Sequence, residues 1–391
     1  MKKLICTLLL PIFFFSCNNK EEAGGGQTLK VDLDTPYDEL SFFDIFESVD
    51  VVPLETTDSS LIGEISKIDF YKNQFYILDE RTMSVFRFNR DGRYCDKIAR
   101  HGKGPGEYSD LTDFSINRET NQIELLSAYG GLHIYDMDFN HVRDLKLTDP
   151  KLYPVHKFAN VSSDLRVFLS YFKEYRLKLH SEKQNKVIKE FYKRPVFLAE
   201  ESVMFTTNFM FEKEGDVVYF NQASDYNLYE ITPDTCKIRQ TWDFGEHNYS
   251  ISTLPSDWKY QQYSDYFWKD MVDKKKVFFF ISNMDNLSYQ IAKFSYEKKN
   301  VTVIYDKKSS KYIKMLSFKE NVLFPHYSKF KNDSLLISTL EFSFHGVEEM
   351  LNYCVNSEII GKNRFNELLS AKEDTNPYVL VHKIRNDIFN K

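Results

Sequence analysis

The sequence predicts an all-β fold, a six-bladed β-propeller of four-stranded antiparallel blades with short helical insertions. Three observations carry this. Phe, Tyr and Trp make up 16% of the 391 residues, a composition that favours strands. A phrase of four short alternating runs recurs between residues 67 and 147, at the roughly 40–50-residue period of a propeller blade. DIFESVDVVPLE, Asp44 to Glu55, is a strand with no unit of its own, well placed to complete the last blade and close the ring. One blade cannot bury both of its faces alone, so blades stack around an axis.

The elements follow in order. Residues 1–16, MKKLICTLLLPIFFFS, read as a signal peptide. Lys2 and Lys3 form a positive n-region, and Leu4 to Phe15 form an apolar run of 12 residues, short of the ~20 that a membrane-crossing helix needs. An apolar run ending Phe-Ser-Cys resembles the lipobox of bacterial lipoproteins, which implies cleavage before Cys17 and a lipid on its thiol and amino group. Residues 17–30 are polar and glycine-rich without hydrophobic periodicity, and read as a flexible tether. Lys20-Glu21-Glu22 in it resembles a surface-export signal. Residues 31–391 then form a single propeller domain.

In KIDFYKNQFYILDERTMSVFRFNRDGRYCDK, Lys67 to Lys97, three alternating runs are separated by the turn Lys72-Asn73 and a polar link. Asp91-Gly92 leads into a fourth, a strong hairpin signal. LTDFSINRETNQIELLSAYGGLHIYDMDFNHVRDLKL, Leu111 to Leu147, repeats the phrase. Asp69 aligns with Asp113 at an offset of 44, and Val85 with His133 at 48. Later units are more degenerate: HKFANV to KVIKEFY; DVVYFN to KIRQTWDFG; VFFFISN to NVTVIYD; and SLLISTLEF with PYVLVHKI, six in all. Two insertions read as helical. In residues 255–276, Tyr260, Tyr263, Phe267 and Met271 recur at helical spacing behind Ser256 as N-cap; residues 346–371 hold two short patterns.

Between the first two units lies HGKGPGEY, His101 to Tyr108. The chain has 14 glycines, and Gly102, Gly104 and Gly106 crowd into this one loop. A link from the outer edge of one blade to the axis of the next must turn sharply and pass close to backbone, which glycine permits and Pro105 stiffens. The same loop is a candidate ligand face through His101, Lys103, Glu107 and Tyr108, because such links are expected at the channel mouth. It lacks the P-loop pattern and no helix follows, so it is not a phosphate cradle.

DVVPLET, FYILD, VFRFNRDG, ARHGKGPGEY, LTDF and EDTNPYVLVHKI together resemble the six-bladed β-propeller lipoprotein family of Bacteroidota, NHL/TolB-like propellers with no general activity assigned. The likeness is strong over residues 44–140 and 373–384 and weak between. It implies a propeller fold and an outer-membrane lipoprotein, exposed at the cell surface. NHL-type propellers usually bind partners.

Charge and chemistry narrow the function. Without residues 1–16, which hold two lysines, 49 basic residues face 57 acidic ones, a net charge of −8 with no basic run, so nucleic acid is not an expected partner. Cys95, Cys236 and Cys354 are few, distant and without C-x-x-C spacing, which indicates neither a disulfide framework nor a zinc site. A channel metal would need several converging acids; Asp69 and Asp113 alone recur, so no metal or other cofactor is assigned. His101 and Glu107 read as surface groups rather than an acid–base pair, and neither G-x-S-x-G nor H-E-x-x-H occurs, so no catalytic residue is named. Trp258, Tyr266 and Trp268, on the other faces of the first insertion, form a candidate aromatic platform for a sugar or a partner protein. The expected function is a non-catalytic binding module, lipid-anchored to the membrane, for a partner protein or an environmental glycan or peptide. The alternatives are a hydrolase or lyase with its site in the central channel, marked by clustered acids, and an assembly scaffold, marked by a plugged channel and an apolar rim.

Overall fold

Alternating side chains make a strand two-faced, and where both faces are covered alternation gives way to continuous burial. That contrast organises this molecule from axis to rim. The computed structural model describes residues 26–390 except 130, 171–172, 194–210, 215–216, 224, 250–253, 256, 267–268, 270–272, 274, 278, 326–328, 333, 341–346 and 371–374. The signal peptide and Cys17 therefore lie outside the described residues.

Three elements precede the repeats: β1 (Gln27–Lys30), α1 (Phe42–Ile45) and β2 (Phe46–Pro53). Blade 1 is β3 (Lys67–Tyr71), β4 (Gln74–Asp79), β5 (Ser84–Asn89) and β6 (Tyr94–Ile98). Blade 2 is β7 (Asp113–Asn117), β8 (Gln122–Ser127), β9 (Gly131–Asp136) and β10 (His141–Leu145). Blade 3 is β11 (Lys157–Asn160), β12 (Leu165–Leu169), β13 (Tyr175–Ser181) and β14 (Lys186–Lys193). Blade 4 is β15 (Phe211–Glu214), β16 (Val217–Phe220), β17 (Asn227–Ile231) and β18 (Cys236–Asp243), followed by α2 (Tyr260–Tyr266). Blade 5 is β19 (Phe279–Asp285), β20 (Tyr289–Tyr296), β21 (Lys299–Asp306) and β22 (Tyr312–Met315). Blade 6 is β23 (Lys329–Asn332), β24 (Leu335–Leu340) and, after α3 (Val347–Cys354), α4 (Ser357–Ile360) and α5 (Lys362–Leu369), β25 (Tyr378–Ile384). β2 supplies its fourth, outermost strand by pairing antiparallel with β25, Val51 opposite Leu380. Six small antiparallel sheets thus form a six-bladed propeller whose last blade joins both ends of the domain.

Second strands are buried almost throughout, as in β4 and β8, whereas the outermost β10 alternates. Each wedge between blades holds its own apolar cluster. Tyr76 and Leu78 meet Phe114 and Leu125 between blades 1 and 2, and Ile68 and Phe75 meet Ile337 and Val379 between blades 1 and 6. The other four wedges are filled likewise.

Several expectations change in detail. Gln27–Lys30, read as tether, forms β1, which adds a fifth, parallel strand to blade 4; Leu29 is buried among Trp242, Phe244 and Phe294. Composition suggested flexibility there, but the free edge of β18 supplies the hydrogen bonds. The strand expected from Asp44 begins at Phe46, because Ser41 and Asp44 make a capping box that opens α1. The repeat register also shifts. Lys67 faces Leu78 as Asp113 faces Leu126, so Asp113 corresponds to Lys67, and Asp69 corresponds to Ser115. Val85 likewise corresponds to Leu132 rather than His133, since each faces the matching leucine, Leu78 or Leu126. The first hairpin turn has two residues and the equivalent turn of blade 2 has four, which displaces a simple alignment. In the first insertion α2 spans Tyr260–Tyr266 with Tyr263 buried, and Ser256, Phe267 and Met271 lie outside the described residues. In the second, α3 and α5 bury Leu351, Phe365 and Leu368 against Tyr378 and Leu380 of blade 6.

Candidate functional site

The HGKGPGEY loop runs from the outermost strand of blade 1 to the innermost strand of blade 2, and closes on itself. Tyr108 N–H donates to the Arg100 carbonyl (2.9 Å), and Gly102 N–H to the Tyr108 carbonyl (3.1 Å). Glu107 accepts from Gly104 N–H at 2.8 Å, and a Cβ on Gly102 would meet that carboxylate. Gly106, at φ +72°, lies so close to the His141 ring that a Cβ there would come within 2.6 Å. Its N–H donates to Asp144 (3.0 Å) and its carbonyl accepts from the Tyr135 hydroxyl. Hydrogen bonds from Gly106 and from His133 and His141 outweigh burial at Asp144, so its carboxyl titrates below its ordinary value.

The four candidate residues divide accordingly. Tyr108 is 2% exposed and packs in the wedge between blades 1 and 2, with its hydroxyl on the Met83 and Ile98 carbonyls. It is a core residue and not part of a ligand face. Burial pushes its pKa to about 12. His101, Lys103 and Glu107 are exposed, with His101 Nε2 3.1 Å from the Thr82 carbonyl and Glu107 occupied in the turn. None of the four lines the central cavity.

Of the aromatic platform, Trp258 and Tyr266 are half-buried and meet edge to face at 5.4 Å, and Trp268 lies outside the described residues. The two described rings spend part of their surface on each other. Cys95, Cys236 and Cys354 stand apart as thiols, Cys95 exposed and the others half-buried.

A concave feature lies on the axis. A cavity of about 160 Å³ is lined by residues of all six blades. Its wall is weighted toward the C-terminal ends of the innermost strands and the turns after them, at Arg118, Asn160, Lys213, Asn286 and Lys331. The inter-blade links enter the innermost strands at their N-terminal ends. No residue of the HGKGPGEY loop lines the cavity.

Lysines and acids at the axis tie blade to blade. Lys67 donates to Asp113 at 2.7 Å, and Asp113 also accepts from Phe158 N–H at 2.9 Å, which joins blades 1, 2 and 3. Burial lowers the Lys67 pKa against the pull of Asp113. Asp69 accepts from Lys329 of blade 6 at 3.0 Å, with Arg118 of blade 2 at 3.8 Å. Burial would raise the Asp69 carboxyl, but Lys329 and Arg118 hold it below its ordinary value. Asp69 and Asp113 are thus bracing groups. Asp285 is paired with Lys307, and with Arg239 at 3.4 Å. Five cations line the cavity against the carboxylates of Asp69, Glu212 and Asp285, in a chain whose net charge is −6.

Sequence reasoning missed Lys329, Lys331, Arg118 and Asn160. Arg118 lies within the Leu111–Leu147 phrase and Asn160 within HKFANV, but only ring closure brings them together with Lys329 and Lys331. The one cluster that could hold a metal among the described residues is Asp34, Glu246 and His247, at the rim of blade 4, with ligand atoms within 4.8 Å of one another. His247 Nε2 lies 3.1 Å from Asp34, and Nδ1 lies 3.0 Å from the Lys275 carbonyl. As placed, the group fastens the segment after β1 to the blade.

No curated protein matches the chain. Two solved structures show the fold. A candidate exported protein of Bacteroides fragilis superposes with a TM-score of 0.70 at 16% identity, over 92% of this chain and 100% of that one. A member of the duf4221 family from Bacteroides vulgatus superposes with a TM-score of 0.51 at 8% identity, over 87% and 97%. The family model described as a domain of unknown function, DUF4934, matches residues 28–383, so the chain belongs to that family.

Proposed function

We propose that this protein is a non-catalytic binding module, carried on the outer membrane by a lipid on Cys17, that holds a small ligand in the cavity at its axis. The observation that carries the reading is the cavity itself, to which every blade contributes. Propellers concentrate binding there because innermost strands of different blades converge, and a concave site with a few polar groups is the usual form of a ligand pocket. The ionic state of the wall argues against acid–base catalysis. A general acid works best near the ambient pH, whereas Asp69 is held below its ordinary range by Lys329 and Arg118. Asp285 is bound to Lys307 and Arg239. The leader, the lipobox-like Ser16-Cys17 and the description of the Bacteroides fragilis neighbour as exported agree with an envelope location.

The test is a thermal-shift screen of soluble glycans and short peptides against the full chain and its Ser115→Trp variant. Ser115 lines the cavity, where its hydroxyl meets Asn160 at 3.3 Å, so an indole there obstructs it. Ligands should raise the midpoint of the native chain and leave the variant unmoved. Equal shifts in both would move the binding site elsewhere.

A further inference from the structure

Resting on the cavity reading above, we infer that the ligand is a sugar acid, a small hydroxylated ring bearing a carboxylate. The argument starts from which wall groups are already engaged. Asp69 is paired with Lys329, Asp285 with Lys307, and Glu212 also has a partner. An incoming ammonium group finds no unengaged carboxylate. Lys331 is different. Its ammonium sits 3.7 Å from the centre of the Phe70 ring, and among the described residues no carboxylate lies within ion-pair distance of it. A cation held against an aromatic face is open to an anion on its other side. Arg118, 3.8 Å from Asp69 and half exposed, adds a second positive charge to the same wall.

The second requirement is a donor. Asn160, 2% exposed, lines the cavity; its Nδ2 donates to Ser115 at 3.3 Å, but its Oδ1 has no hydrogen-bond partner among the described residues. A buried acceptor without a donor is costly, and native structures rarely leave one unmet. A ligand hydroxyl satisfies it. The third feature is apolar: Phe70 and Phe330, each partly buried, are among the residues that line the cavity. Aromatic surface of this kind covers the C–H face of a pyranose. Anion, hydroxyl donors and an apolar face within a volume of about 160 Å³ describe one acidic sugar unit. An acidic peptide brings the carboxylate, but its Asp or Glu side chain carries no hydroxyl beside it and its backbone needs a longer groove.

The experiment is calorimetric titration of the full chain in detergent with galacturonate and glucuronate, with galactose, acetate and an Asp-Glu dipeptide beside them. The uronates should bind, and the other three should bind at least tenfold more weakly. Lys331→Met should weaken uronate binding tenfold or more without lowering the melting temperature, because Lys331 is exposed. Asn160→Ala should weaken it several-fold, and Ser115→Trp should abolish it. Uronate binding indifferent to Lys331→Met overturns the inference. So does preferential binding of galactose or the dipeptide that Ser115→Trp abolishes, although the cavity reading then stands. Binding of any of these compounds that survives Ser115→Trp in a folded chain overturns both.

Discussion

Arg166 is buried to 1% exposure on β12 and grips Glu124 of β8 through two hydrogen bonds, at 2.6 and 2.7 Å, with a third to Glu182 at 2.7 Å. Asn117 adds a donor to Glu124 at 3.2 Å. The pair crosses the wedge between blades 2 and 3, where fully apolar side chains would also pack. Removing one partner leaves the other charged and dry. Arg166→Ala should therefore cost about 3–5 kcal/mol, read from the urea midpoint, whereas Arg166→Met with Glu124→Leu should recover most of it. Lys293 is a second buried charge-bearing group. Its amine donates to the Phe324 carbonyl at 2.9 Å, and burial pulls its pKa to about 7. The unfolded chain keeps that lysine protonated up to about 10.5. From pH 7 upward through that window the unfolded state holds the extra proton, so raising the pH stabilises the fold. Unfolding free energies measured at pH 7 and pH 9 should show this rise in the native chain, and Lys293→Met should flatten it. His382 acts with the same sign at lower pH. Burial lowers its pKa to about 3, so stability falls as pH drops below about 6.5. Neither Lys293 nor His382 stands out in the sequence, because each sits in an ordinary alternating strand, YQIAKFSY or PYVLVHKI. Their burial follows from which face a neighbouring blade covers.

Among the elements, β2 and β1 look alike in sequence position and differ in what they hold. β2 pairs along its whole length with β25, from Phe46 opposite Ile384 to Pro53 opposite Tyr378. Beside it, Asn376 anchors the VPLET phrase, donating to the Glu55 and Ser60 carbonyls at 2.7 and 2.8 Å and accepting from Ile62 N–H at 2.8 Å. Two phrases over 300 residues apart in the chain are thus one structural joint. β1 only extends blade 4, although its Leu29 and the following Val31 and Leu33 are buried. A chain lacking residues 26–34 should still unfold cooperatively in calorimetry, with a lower midpoint. A chain lacking residues 26–53 should lose the cooperative transition, because blade 6 then loses its outer strand and the ring its closure. Retained cooperativity in the second would mean that the wedge clusters close the ring unaided. The strand β2 is legible in the sequence, since it alternates without a repeat to belong to. β1 is not, because Gln27–Lys30 is too short and polar to be told from a tether until the edge of β18 is beside it.

For the molecule as a whole, the ends of the domain define how it is presented. The described chain begins at the outer edge of blade 4, nine residues after Cys17 at Gly26. A chain that short spans at most about 30 Å when fully extended, so a lipid on Cys17 would keep the propeller rim against the membrane. Replacing Cys17 by Ala should abolish metabolic labelling with an alkyne fatty acid and move the protein from the membrane pellet to the soluble fraction. Labelling that persists would place the lipid elsewhere.

The architecture is written in the chain itself. The four-strand phrase, its period, the closing strand within Asp44 to Glu55 and the two helical insertions are local patterns, set by side-chain alternation and turn chemistry within a few residues. The same local chemistry explains why glycine collects in HGKGPGEY, although Tyr108 there proved to be core. Where a ligand fits is a different matter, and it rests on tertiary structure alone. Lys331, Arg118 and Asn160 come from three different blades, up to 213 positions apart, and no periodicity links them. Their meeting depends on the convergence of the innermost strands of separate blades at the axis. A cavity is a property of closure, and closure is the one feature of a ring that none of its repeats contains.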